Sequence, residues 1–278
     1  MINKKLTLSL VIPVFNEEAY LADCLDAIAA QSVPADEVIV VDNNSTDATA
    51  QIAKKYSFVT LISEERQHQA FAQKTGFDYA LGDILGRIDG DTILPVDWVK
   101  RVKAEFGADP NLEALDGGPD PYDVSSKSIA VAIFKAYHAL AGKIAGTKML
   151  WGANTALRAK TWRRISDKVL LRDDIWEDYD VALLIGGKDS IKFIEGLEAG
   201  SSFRTAHKPL LKQLEWHFRV IRTFYLQTSL TRTAVMAACW STLIIMYPLT
   251  MLDRFIVKSS PAFKAGRSNI ADPTAITE

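Results

Sequence analysis

Residues 84–92 read Ile84-Leu85-Gly86-Arg87-Ile88-Asp89-Gly90-Asp91-Thr92, a short apolar run that stops at two carboxylates separated by a glycine. A run of this length is the pattern of a strand buried in a parallel sheet. The design recurs upstream. Leu6–Ile12 reads as a strand leading into Pro13, Asn16 and Glu17, Glu37–Val41 as a second ending at Asp42, and Phe58–Ile62 as a third. Helical patterns fill the gaps. Tyr20, Leu21, Leu25 and Ile28 lie at helical spacing, Ala50, Ile52 and Ala53 follow a turn at Asn43–Ser45, and Gln67–Leu81 precedes Ile84. Ser45 or Thr46 is expected to cap the second of these helices. Strand and helix alternate four times in about ninety residues, which predicts a parallel sheet with helices on both faces. Such sheets take ligands at the C-terminal ends of their strands. Three polar clusters, Pro13–Glu17, Asp42–Asp47 and Asp89–Asp91, therefore converge on one edge.

Composition bounds what such an edge can serve. The 278 residues suffice for one large domain, or one domain with an appendage. Thirty-two Lys plus Arg against 34 Asp plus Glu give a net charge of −2, which argues against a dedicated nucleic-acid binder and against a highly charged disordered chain. Fifteen Gly and 10 Pro exclude collagen-like and low-complexity classes. Cys24 and Cys239 lie far apart in dissimilar contexts, so no disulfide framework is expected and a reducing compartment fits. The basic start and brief apolar run before Pro13 read as a first strand rather than a signal peptide.

Beyond Pro95 the pattern loosens. Trp98–Phe106 and the Ala-rich Ser126–Ala145 read as helices, Asp116–Pro119 as a loop, and Trp151–Asn154 as the lead into a strand through Leu157. An acidic run, Asp173–Asp180, opens a helix expected over Val181–Ile185, and Ile191–Phe203 should hold two short strands. At His207 the character changes, so residues 1–206 are expected to form the main domain, 207–258 a C-terminal helical segment and 259–278 a disordered tail. Leu211, Leu214, Phe218, Ile221 and Tyr225 mark one side of a basic amphipathic helix that carries Lys212, Arg219 and Arg222. Thr233–Leu252 is free of charge and long enough to span a bilayer, although Ser241, Thr242, Tyr247, Pro248 and Thr250 interrupt it. A buried helix or a dimer interface is the competing reading. Basic residues flank both ends, so charge does not select an orientation.

Asp89 and Asp91 can offer oxygen ligands to a hard divalent cation, which would neutralise a departing diphosphate. The plainer reading is a turn, since Asp and Gly favour turns. Asp42–Asp47 is either a turn with a cap or a polar floor for a nucleoside. Glu17 and Glu18 are either favoured by a helix dipole or part of the same floor. Gly186-Gly187-Lys188 lacks the spacing of a phosphate-binding loop. His68, His138, His207 and His217 show no metal-ligand spacing, though His207, just after the last expected strands, could reach a metal.

Taken in order, IPVFNEE (12–18), VVDNNSTDAT (40–49), ALGDILGRIDGDT (80–92), WGANTALR (151–158) and WEDYDVAL (176–183) resemble family 2 glycosyltransferases across about Leu6–Phe203. The resemblance implies an α/β GT-A fold with a mostly parallel central sheet, a nucleotide-activated sugar donor and inversion at the anomeric carbon. It implies that Pro13 and Glu17 border the nucleoside, that Asp42 and Asn43 contact the base, and that Asp89 and Asp91 face the sugar diphosphate. Asp91 is then the direct ligand of Mg²⁺ or Mn²⁺. Glu177-Asp178 matches the family's acidic pair, with Asp178 the general base and Glu177 orienting it. Asp180 is either a helix-start residue or a partner behind them, and Asn154 lines the donor sugar and acceptor floor. Two departures stand out. Asn43 replaces an aspartate common in the family, and Ala72-Gln73-Lys74-Thr75-Gly76 lacks an arginine expected near the diphosphate, for which Arg66 or Lys74 could substitute.

The expected activity is inverting transfer from a nucleotide-diphosphate sugar, a UDP-sugar foremost, to a hydroxyl acceptor. A lipid-linked or cell-envelope acceptor, met at the cytoplasmic face of a membrane through the C-terminal helices, follows from the basic amphipathic segment. A sugar nucleotidyltransferase of similar fold is the rival enzyme, but it expects a glycine-rich, arginine-bearing signature where this chain has IPVFNEE. A degenerate nucleotide-binding or scaffold protein is the non-enzymatic rival. Retention of both acidic motifs speaks against it.

Overall fold

The computed structural model describes residues 5–187, 189–204 and 208–259. The four early strands are β1 (Leu8–Val14), β2 (Glu37–Asp42), β3 (Val59–Ser63) and β4 (Ile84–Arg87), parallel and in spatial order β3-β2-β1-β4. β1 and β4 are buried throughout, as their continuous apolar runs require. Helices α1 (Leu21–Ala29), α2 (Thr49–Ala53) and α3 (Gln69–Tyr79) alternate with them. Leu8, Leu10, Ile12 and Val14 pack with Leu21, Leu25 and Ile28 of α1, whereas Val11 faces the opposite layer with Ala72 and Phe77 of α3. That split follows the period of two along a strand. α3 presses on the sheet so closely that a Cβ on Gly76 would clash with the side chains of Val11 and Val41.

The sheet continues β4-β7-β5-β8, using β5 (Ala114–Asp116), β7 (Thr155–Arg158) and β8 (Ile191–Phe193). β7 runs antiparallel to both β4 and β5, and β5 runs parallel to β8. A small parallel pair, β6 (Pro119–Pro121) with β9 (Ala199–Ser201), lies apart from this sheet. Helices α4 (Trp98–Ala108), α5 (Lys127–Ala145), α6 (Ala159–Ile165) and α7 (Glu177–Ile185) complete the domain, with a 3₁₀ turn at Gly152–Asn154.

Three local expectations are corrected. The N-cap residue of α2 is Ala48, which has no capping side chain; Asp47, one residue earlier, accepts from Thr49 N at 2.9 Å through its Oδ1, and Ser45 Oγ and Thr46 N instead bond to Asn16 N and Oδ1, at 3.0 and 2.8 Å. The stretch Asp116–Pro119 is not all loop, since it ends β5 and begins β6. α7 starts at Glu177, four residues before Val181, because Glu177, Asp178 and Asp180 in its first turn suit the positive end of the helix dipole.

Two helices follow, α8 (Leu210–Gln227) and α9 (Leu230–Ser259). α8 buries Gln213, Val220, Thr223 and Phe224. Leu211, Phe218 and Tyr225 point outward, with exposures of 75%, 68% and 52%. The uncharged stretch 233–252 lies within α9 as one continuous helix. Trp240 stacks on Tyr137 of α5, ring centroids 5.4 Å apart, and meets the His217 ring of α8 edge-on at 5.3 Å, so the three helices share one junction. Among the described residues one helix, α5, is long and apolar enough to cross a membrane by length and composition, and only 11% of that window is buried. The expected boundary at 206/207, His207 and the 260–278 part of the tail lie outside the described residues.

Candidate active site

The three polar clusters do meet at one sheet edge, since β2, β1 and β4 are neighbours. Asn16 and Asn44 adopt left-handed conformations (φ 53° and 64°) that fold the two strand ends toward each other. Pro13 is buried within β1, paired in register with Val41. Asp42 is half-buried, and its Oδ1 accepts from Ser45 N at 3.1 Å. Asn43 differs from expectation. It is buried, and its Nδ2 donates to the carbonyls of Glu64 and Arg66, both at 2.8 Å, while its Oδ1 accepts from His68 N at 2.9 Å. Both amide protons are spent on bracing the chain between β3 and α3, which leaves no donor for a base.

At the end of β4 a single side chain organises the centre. Arg87 is 1% exposed; one Nη reaches Asp178 Oδ1 at 2.8 Å, and the other reaches Asp89 Oδ1 at 2.9 Å and Glu177 Oε1 at 3.5 Å. Burial opposes its charge, but Asp178, Asp89 and Glu177 together raise the guanidinium pKa above its ordinary value. The second oxygen of Asp178 accepts from Gly152 N at 2.8 Å. Burial pushes the Asp178 carboxyl up to about 7 against the opposing pull of Arg87, and burial also raises Glu177. Asp89 keeps a 37% exposed side chain, with Gln69 Nε2 donating to its Oδ1 at 2.9 Å. Asp180, in the first turn of α7, bonds elsewhere: its carboxylate accepts from Leu170 N at 2.7 Å and from Gln227 Nε2 of α8.

Asn154 is also corrected. It is wholly buried, accepting from Trp98 Nε1 at 2.7 Å and donating to the carbonyls of Gly118 and Leu197 at 2.9 and 2.7 Å. It supports the floor from beneath and has no surface to offer a sugar. Asp116 does similar work, accepting from Gly118 N at 2.8 Å and Trp151 N at 2.6 Å, and burial raises its pKa to about 8.

The other side of the edge holds Glu17, Asp91 and Arg204. Arg204 bridges the two acids, donating to Glu17 Oε1 at 2.5 Å and standing 3.2 Å from Asp91 Oδ2, with its guanidinium over the Tyr20 ring. Burial raises Glu17 to about 8 and Asp91 to about 6, in both cases against Arg204. Glu17 Oε2 is buried without a hydrogen-bond partner, and so is Arg204 Nη1. An orphaned anion oxygen beside Asp91 and the open side of Asp89 fit a divalent cation. Among the described residues no three acidic, His or Cys side chains form a ready cage, so these groups suit a cation shared with phosphate oxygens, as Mg²⁺ commonly is. The arginine that meets Glu17 and Asp91 is Arg204. Arg66 instead pairs with Glu64 at 2.8 Å, and Lys74 with Asp78 at 2.7 Å. Nothing in the local pattern around Arg204 marked it, because its acidic partners lie more than a hundred residues upstream. Arg87 did carry a signal, a charge within a buried strand. An open cavity of about 590 Å³ runs beside α8, lined by Asp173, Asp174, Phe218, Arg219, Arg222 and Tyr225 among others.

A parallel sheet interrupted by one antiparallel strand, with acids at the end of β4 and on α7, is the architecture of GT-A glycosyltransferases. Residues 9–145, just under half of the chain, match glycosyl transferase family 2. It is 38% identical over 100 residues to glycosyltransferase AglE of Haloferax volcanii (34% of this chain, 33% of that protein) and 36% identical over 97 residues to dodecaprenyl-phosphate galacturonate synthase of Rhizobium johnstonii (32% and 29%). These alignments span about a third of the relatives' length. Among solved structures, the mannosyltransferase PcManGT from Pyrobaculum calidifontis, in complex with GDP-Man and Mn²⁺, superposes with a TM-score of 0.62 at 19% identity, over 97% of this chain and 77% of that one. Glucosyl-3-phosphoglycerate synthase of Mycobacterium tuberculosis, with Mn²⁺, UDP and glucosyl-3-phosphoglycerate, gives 0.57 at 20% identity, over 80% of each chain. At such identities the likeness establishes the shared fold.

Proposed function

We propose that the chain transfers a sugar, with inversion, from a nucleotide-diphosphate donor, a UDP-sugar, to a hydroxyl of a lipid-linked or cell-envelope acceptor. The observation that carries this reading is that the donor-side acid, Asp89, and the pair Glu177 and Asp178 contact one guanidinium. A donor diphosphate at the end of β4 therefore lies within a sugar's reach of Asp178. In the reaction the acceptor oxygen attacks the anomeric carbon from the face opposite the diphosphate. Asp178 takes the hydroxyl proton, and the breaking C–O bond leaves its electron pair on the diphosphate. A group whose pKa is near 7 can accept that proton at neutral pH. Glu177, more weakly held at 3.5 Å, flanks it.

On the donor side, Arg204 is placed to exchange Glu17 and Asp91 for phosphate oxygens, a fixed charge in a water-poor site. Asp42 remains to meet the base, with Pro13 and Glu17 bordering the nucleoside. A divalent cation held by Asp89 and Asp91 would neutralise the departing diphosphate. The lipid-linked acceptor is supported by relatives whose names specify dodecaprenyl-phosphate and undecaprenyl-phosphate. It is supported also by the outward Leu211, Phe218 and Tyr225 beside Lys212, Arg219 and Arg222, a pattern suited to an anionic leaflet. On this reading the enzyme works at the cytoplasmic face of a membrane.

The test is calorimetry of UDP and GDP with and without Mn²⁺, on the parent and on Asp91→Asn. Mn²⁺-dependent binding of UDP that weakens at least tenfold in the variant is expected. A folded parent that binds neither nucleotide would overturn the reading.

A further inference from the structure

We infer that Arg87 is the positioning residue that sets the acceptor-side carboxylate Asp178 against the donor-side carboxylate Asp89, and that position 152 is glycine to give this guanidinium room. The inference rests on Asp178 being the base.

Arg87 occupies a strand position where an apolar side chain would be the ordinary choice, following buried Ile84 and Leu85. A buried guanidinium is costly unless paired, and replacing such clusters by apolar groups often stabilises a protein. Stability is therefore a weak reason for its presence. Arg158, one strand over on β7, shows what a bracing arginine looks like. Its guanidinium donates to the backbone carbonyls of Leu112, Phe106 and Asp109, each at 2.7 Å, and so ties loops together. The ion pairs of Arg87 all go to carboxylates of the candidate site, and its Nε is buried without a partner. Such an arrangement secures the acids at the expense of the arginine.

The planar fork explains why arginine is used. Two nitrogens of fixed separation address Asp178 and Asp89 at 2.8 and 2.9 Å, a geometry that a single ammonium cannot copy. Asp178 is gripped from its other oxygen by Gly152 N, so its carboxylate is fixed on both sides. A Cβ on Gly152 would coincide with Arg87 Nη1 and clash with Asp178 Oδ1. The glycine in the WGAN run is thus explained by the arginine four residues before Asp91, although 65 positions separate the two in sequence.

The experiment uses the full chain with Arg87→Lys, Gly152→Ala, their double variant and Asp178→Asn. It measures thermal melting, calorimetric affinity for UDP with Mn²⁺, and kcat and KM for release of UDP from UDP-hexoses. Arg87→Lys keeps the charge and should melt cooperatively, with UDP affinity and KM within about threefold of the parent and kcat down about 100-fold. Gly152→Ala should give the same split without changing any charge, and the double variant should be no worse than either alone. A crystal structure of Gly152→Ala should show the guanidinium out of reach of Asp178, a readout that needs no turnover. Parent-like kcat in Arg87→Lys, or a rise in KM alone, overturns the inference while an inactive Asp178→Asn leaves the base reading standing. Full turnover by Asp178→Asn would remove the base reading, and this inference with it.

Discussion

Trp98 Nε1 donates to Asn154 Oδ1 across 2.7 Å, joining α4 to the 3₁₀ turn beneath the site with both side chains wholly buried. Asn154→Ala leaves the indole N–H and the carbonyls of Gly118 and Leu197 without partners. An unsatisfied buried group costs about 1–3 kcal/mol, so a loss of roughly 3 kcal/mol or more is expected by urea unfolding. A change below about 0.5 kcal/mol would mean that the amide is not a brace.

Asp178→Asn removes the proton acceptor while keeping the bond from Gly152 N available. General-base catalysis contributes about 10²–10⁴-fold, and kcat should fall within that range with UDP affinity unchanged. In the parent, the Asp178 carboxyl must be ionised to act, and its pKa stands at about 7. Activity should therefore rise about tenfold per pH unit below 7 and level off above it. A rate that stays flat from pH 5 to 9 would argue against this assignment.

Stability should run the other way with pH. Burial lifts Asp116 to about 8, far above the value of about 3.9 that an unfolded aspartate takes. A folded pKa above the unfolded one gives stability that is full below about pH 4 and is lost as pH rises through 8. The melting temperature should fall between pH 5 and 8, and Asp116→Asn should flatten that fall. An unchanged slope in the variant would show that Asp116 does not titrate in this window.

Arg204→Met removes the cation shared by Glu17 and Asp91. UDP affinity should drop at least tenfold, since a charge-assisted contact to an anion contributes about 1.5–3 kcal/mol. Affinity within twofold of the parent would place the diphosphate elsewhere.

Replacing Leu211, Phe218 and Tyr225 by serine should abolish flotation with vesicles containing anionic lipid while leaving UDP affinity intact. Flotation at the parent level would remove α8 as a lipid contact.

The parallel half of the fold was legible because its strands are apolar runs and its helices keep a period near 3.6, as Leu21, Leu25 and Ile28 show in burial. The edge of acids was legible for the same reason, since strand ends in a parallel sheet lie together. Whether a polar residue faces a ligand or braces the scaffold was not. Asn43 and Asn154 are committed by partners that a local pattern does not specify, from Glu64 to Leu197. Arg204 escaped notice because its meaning depends on Glu17, 187 residues away. The early start of α7 was obscured by the assumption that acids end where a helix begins.

The family match ends at residue 145, whereas Gly152, Glu177 and Asp178 lie beyond it. Arg87, inside the matched segment, reaches across that limit to both acids. A chimera that joined residues 5–145 to the later half of another relative would inherit the acids of the donor edge without Arg204, and a guanidinium that keeps Asp89 but has lost Asp178 and Glu177. To work, the incoming half would have to bring a carboxylate for the Nη that Asp178 holds here and a residue without a side chain beside it. Modular as the chain looks in sequence, its two halves can be exchanged only at a seam that this one arginine tolerates.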